Sequence, residues 1–154
     1  MTDAPRGLRI AAGMLAVAVA GLHAYWALPR LTAQLSVWQF PDPRPVAFLL
    51  ATAAILMGIL LVVQGFDPLP VYVGGIALLL VFLGGYVAWH TVLEHGAFWP
   101  GRHAHGHGDA SAVAVVVDHL RADRLELASK LTEAALLAVL AALTAIELGS
   151  SESQ

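Results

Sequence analysis

Long stretches without any Lys, Arg, Asp or Glu constrain this chain more than any other feature. Residues 10–28, 46–63 and 69–93 each lack these charges, and 134–146 is a shorter fourth run. A helix of about 20 residues, rising ~1.5 Å per residue, crosses a hydrocarbon layer of roughly 30 Å. Three of the runs reach that length, and the fourth does so when extended to Leu131–Leu148, with Glu133 and Glu147 each near an interface. With 58% hydrophobic and 12% charged residues, there is too little polar side chain to coat a water-soluble particle; ordinary globular chains carry about 25% charged residues.

The expected fold is therefore an all-α membrane protein. It is a four-transmembrane-helix antiparallel bundle, with spans at about 8–28, 46–65, 69–93 and 130–148 and an amphipathic helix before the fourth span. One domain covers 1–148, and a disordered tail covers 149–154. Pro29 and Arg30 are expected to stop the first helix, and Pro41, Pro43 and Pro45 to keep the first link irregular. Residues 64–68 form a turn so short that the second and third helices must be antiparallel neighbours. In the link 94–129, Trp99, Pro100 and Gly101 break the third helix. Asp109 or Ser111 then caps a helix carrying Val113, Val116, Val117, Leu120, Leu127 and Leu131. The N-terminal run continues into His23, Tyr25 and Trp26 instead of a small-residue cleavage site, and so reads as a retained helix. Ala12, Ala16, Ala20 and Ala24 on the first helix, and Ala134, Ala138, Ala141 and Ala145 on the fourth, form stripes on which helices can approach closely.

Basic residues set the orientation. Arg30, Arg44, Arg102, Arg121, Arg124 and Lys130 lie in the first and third links, against Arg6 and Arg9 before the first helix. Cytoplasmic loops carry the excess of Lys and Arg, so both termini are expected outside and the third link in the cytoplasm. The expected setting is a lipid bilayer, as a homo-oligomer or a subunit of a larger membrane complex. A net charge of −3 gives no pull toward nucleic acid. The absence of cysteine excludes disulfides, thiolate metal sites and cysteine nucleophiles. No Gly-rich phosphate loop, Gly-x-Ser-x-Gly elbow or His-Glu-x-x-His pair occurs, so no motif names a reaction.

Histidine carries the functional signal. His103, His105 and His107 alternate in the third link, flanked by His95 and His119. Neutral imidazole binds Zn, Ni, Cu and Fe, so a divalent transition metal on the cytoplasmic face is the leading expectation, in a transporter component or a metal sensor. A plain solvated loop has the same composition. His90 and Glu94 stand four apart, on one face of a continuing helix, with His95 next. The first and third helices run in the same direction, so His23, His90, Glu94 and His95 converge at one membrane face, where Glu133 also arrives. His23 and His90 are expected to face each other inside the bundle. They could act as ligands to a metal or to haem b, or simply form a structural hydrogen bond. The run His90-x4-His95-Gly96, an aromatic residue and then several histidines resembles the first histidine boxes of membrane di-iron hydroxylases such as carotenoid hydroxylases. That resemblance covers about 20 residues and implies a metal-dependent enzyme acting on lipid. The spacing of His103, His105 and His107 departs from the family's His-x-x-His-His box, and no further box follows His119. A packing subunit without chemistry is the remaining alternative.

Overall fold

The computed structural model describes residues 6–93 and 111–151, and within them the chain is all helical. Five helices follow one another: α1 (Arg6–Val37), α2 (Arg44–Val63), α3 (Pro68–His90), α4 (Ala112–Ala122) and α5 (Arg124–Ser151). Four of them, α1, α2, α3 and α5, are long and apolar enough to cross a membrane by length and composition. The short α4 precedes the last span. Neighbouring pairs around the bundle are α1–α2, α2–α3, α3–α5 and α5–α1, and α4 rests on α3 and α5. A bundle of this kind is what a multi-pass membrane protein requires. A helix bonds its backbone amides internally, as hydrocarbon demands, and large apolar side chains such as Met14, Leu50, Met57, Val73 and Val81 are exposed on the outside.

Helix boundaries depart from expectation where local chemistry rescues a break. Pro29 lies inside α1, which continues to Val37. A proline removes one amide and crowds the preceding turn. Here Arg30 Nη1 donates to the Trp26 carbonyl at 2.8 Å and Thr32 Oγ1 to the Leu28 carbonyl at 2.9 Å, so side chains add bonds to two carbonyls beside the break. The helix ends at Trp38, whose φ of 51° is a left-handed cap, with Gln39 N donating to the Gln34 carbonyl at 3.1 Å. Pro45 sits in the first turn of α2, where a missing amide costs nothing. The α3 helix stops at His90 instead of 93. Leu93 N folds back to the Ala88 carbonyl at 2.8 Å, so the helical face expected to join His90 to Glu94 is not continued. The amphipathic segment is two helices and not one. Ser111 caps α4, and Asp123 breaks the chain in extended conformation. Its Oδ1 then accepts from Leu125 N at 2.8 Å and Glu126 N at 3.2 Å to start α5. Helix α5 runs to Ser151, past the start predicted for the tail.

The inward faces are set by the largest side chains. Val19 on α1, Tyr72 and Leu79 on α3, and Leu136, Leu140 and Leu143 on α5 form the apolar core with Ala12. The α1 alanine stripe faces inward, with Ala12 and Ala20 buried. The α5 alanine stripe does not: Ala134, Ala138, Ala141 and Ala145 are exposed. The opposite face of that helix carries Glu133, Leu136, Leu140 and Leu143, and a carboxylate cannot be turned toward lipid.

Candidate functional site

The site is built around one carboxylate. Glu133 lies in the first half of α5 and is completely buried. Its Oε1 accepts from His23 Nε2 at 2.9 Å, from Ser129 Oγ at 2.9 Å and from Lys130 Nζ at 2.7 Å. Oε2 accepts from Lys130 Nζ, also at 2.7 Å. Ser129 and Lys130 precede Glu133 by four and three residues, so one helical face presents all three groups. Helix α1 supplies His23, 2% exposed, on the flank of the small-residue stripe as its offset from Ala16 and Ala20 predicts. The ion pair with Lys130 neutralises the carboxylate inside the bundle, where a lone charge would be prohibitive.

Aromatic rings enclose the imidazole. Phe48 of α2 meets it edge-on at 4.6 Å between centroids, and Phe82 of α3 stacks on it at 4.9 Å. His23 thus touches every other span, since Glu133 comes from α5. Its Nδ1 is buried and makes no hydrogen bond to a described residue. Leaving such a group unpaired costs about 1–3 kcal/mol.

His23, Phe48, Phe82, Ser129 and Lys130 line a cavity of about 620 Å³ that also reaches Trp26, Arg44, Tyr86, Trp89, His90 and Glu126. At its outer rim the Arg44 guanidinium lies 4.4 Å from the Trp89 ring centroid and 5.2 Å from that of Trp26, and pairs with Asp42 at 2.7 Å. Arg30 lies over Trp26 at 4.2 Å. Amphipathic rings and arginines in this arrangement mark a membrane–water boundary. Tyr86 donates to Glu126 Oε2 at 3.0 Å. A second cavity of about 680 Å³ lies toward the other end of the bundle, lined by apolar and small residues apart from Arg9 and Tyr72; Ala54 and Leu78 border both.

The predicted site residues separate into groups. His23 and His90 are buried and line the same cavity, but they hydrogen-bond to different partners. His90 Nδ1 donates to the Tyr86 carbonyl at 2.9 Å, and its ring lies 4.5 Å from that of His119. His119 Nδ1 donates to the Val115 carbonyl at 2.8 Å. A carbonyl only accepts, so Nδ1 carries a hydrogen in both rings. If His23 held a haem or metal through Nε2, it would give up its hydrogen bond to Glu133. Glu94, His95, His103, His105 and His107 lie outside the described residues. Among the described residues no group of three or more His, Asp or Glu is placed to hold a metal ion. Sequence reasoning brought Glu133 to this face as a helix-flanking residue but missed its central place and the roles of Ser129 and Lys130. The spacing Ser129, Glu133, Leu136, Leu140, which puts the polar pair on the apolar stripe, was the available signal.

No protein-family model, no curated protein and no solved structure matches this chain. Function must be read from the site itself.

Proposed function

We propose that this protein binds a lipid-soluble small molecule inside the membrane, in the cavity at the His23–Glu133 end. One observation carries the reading: buried His23 and Ser129 and the largely covered Lys130 converge on the wall of a mostly apolar and aromatic cavity that Arg44, His90 and Glu126 also line. A large apolar pocket with a few convergent polar groups is the arrangement that small-molecule sites share, and ionisable groups at membrane depth are costly enough to point to function. The apolar wall takes the body of the molecule, and the polar groups orient its head. By the distribution of Arg and Lys, this end faces the cytoplasm. The test is to extract the purified protein with organic solvent and identify what is released. A co-purifying lipid-soluble molecule is expected, and Gly85→Leu should remove it. Gly85 lines the cavity, and a Cβ there meets nothing within 4 Å, so the new side chain starts in open space. No such molecule, or one indifferent to Gly85→Leu, contradicts the reading.

A second reading is transition-metal binding at His90 and His119, completed by His103, His105 and His107 of the third link. The close rings with Nδ1 fixed on backbone carbonyls support it, because that hydrogen bond orients the other nitrogen for a metal. Zn, Ni, Cu or Fe content of the purified protein should fall by one equivalent in a His90→Ala/His119→Ala variant. Unchanged content would remove these two residues from any metal site.

A further inference from the structure

We infer that the polar-end cavity selects a lipophilic organic cation, with its charge beside Glu126 at the cavity mouth and its apolar body among Phe48, Val81 and Phe82. The inference rests on the ligand-binding reading above and names the class of molecule bound. Arg44, Glu126 and Lys130 are the fully charged side chains on the lining. Each of the two cations already has its carboxylate. Arg44 grips Asp42 through two nitrogens, with Nη2 2.7 Å from Oδ2 and Nε 3.0 Å from Oδ1. Lys130 Nζ contacts both Glu133 oxygens at 2.7 Å. Glu126 differs. Among the described residues its carboxylate has one hydrogen-bond partner, the neutral Tyr86 hydroxyl at 3.0 Å, and no cation at ion-pair distance. The two closed pairs cancel, and the cavity keeps one negative charge on a half-buried side chain.

An anionic head would have to open one of the closed pairs to find a partner, and a neutral head leaves Glu126 uncompensated. A cation answers that charge without breaking either pair. The aromatic lining adds to the preference, because ring faces attract cations. The protein's own Arg44 shows this at the same wall, resting 4.4 Å from the Trp89 ring centroid. Glu126 precedes Glu133 by seven residues of α5, about two turns or ~10 Å nearer the membrane surface. The charge is thus held at the mouth, while the apolar body lies deeper, where the lining is hydrocarbon and aromatic rings.

The probes are tetraphenylphosphonium and tetraphenylborate, four-ring ions of nearly equal size and opposite charge. Each is dialysed to equilibrium with the full chain in a nonionic detergent, against protein-free micelles, at about pH 8, above the ordinary imidazole range. The wild type should bind the phosphonium in excess of the empty micelles. Glu126→Gln, which keeps an oxygen for Tyr86, should bind it about tenfold more weakly, between the few-fold worth of an exposed charge pair and the larger worth of a dry one. Tetraphenylborate binding should not fall in that variant. Gly85→Leu should abolish the phosphonium binding. Tyr86→Phe keeps the ring and removes the one competing donor, so it should tighten the phosphonium by about a few-fold; it decides the matter if Glu126→Gln does not fold, and an unchanged or weaker affinity counts against the inference. Equal changes for both ions in Glu126→Gln, or none for either, overturn the cation inference; loss of both ions in Gly85→Leu then leaves the cavity reading standing. Phosphonium binding that survives Gly85→Leu places the ion elsewhere and overturns the inference. Binding of neither ion by the wild type also overturns it, and the co-purifying molecule then decides the cavity reading by itself.

Discussion

At the α1 N-terminal end of the bundle, Val19, Tyr72, Leu136, Leu140 and Leu143 meet as an apolar core. At the opposite end, His23, Glu133, Lys130 and Ser129 occupy equivalent inward positions on the same α1 and α5 helices. The apolar end gains only from packing, because lipid tails compete on equal terms with leucine and the hydrophobic effect does not drive helices together. The polar end gains from hydrogen bonds that have no substitute in hydrocarbon. The price is rigidity of composition: each partner at the polar end requires the others, while apolar residues of similar size can replace one another. The half expected to tolerate least substitution is also the half whose cavity wall carries His23, Ser129 and Lys130.

Substitutions can break or sharpen that contrast. The largest effect is expected for Glu133→Ala, which leaves buried His23 and largely covered Lys130 without their acceptor; it should cost about 3–5 kcal/mol in reversible unfolding from detergent. A loss no larger than that of an apolar truncation would mean that the network is not what holds this end together. Leu143→Ala, a fully buried position at the apolar end, should cost about 2–3 kcal/mol by the same assay, through the void it leaves. Two α3 glycines then compare the ends by steric space. A Cβ at Gly75 meets Leu140 Cδ1 at 2.8 Å, whereas one at Gly85 meets nothing within 4 Å. Gly75→Ala should lower stability by about 1 kcal/mol as Leu140 gives way, and Gly85→Ala should be neutral or mildly stabilising. Equal effects would deny the close α3–α5 approach. Smallest is Arg9→Ala. The exposed Arg9–Glu147 pair at 2.9 Å should contribute less than about 1 kcal/mol and fade with salt.

The spans were legible in the sequence because absence of charge over about 20 residues has few other meanings. The breaks were less so. Pro29 reads as a stop until Arg30 and Thr32 are seen to bond the carbonyls around it, and Asp123 reads as one more charge on an amphipathic helix until it caps α5. The alanine stripe of α5 misled because alanine is equally at home against lipid or protein; only Glu133 fixes which side faces in. His23 and His90 were correctly brought to one end by the parallel course of α1 and α3. Their partners depend on helix rotation about the axis, which no composition rule supplies, so Glu133 and His119 emerged only from the three-dimensional arrangement.

Native mass spectrometry of the intact protein and two cavity-filling variants tests the central claim most directly. Gly85 lines the polar-end cavity and Gly74 the apolar one, and a Cβ at either meets nothing within 4 Å. The wild type and Gly74→Leu should both carry a bound lipid-soluble mass that survives detergent stripping, and Gly85→Leu should have lost it. Retention in Gly85→Leu with loss in Gly74→Leu would place the ligand at the apolar end and contradict the account.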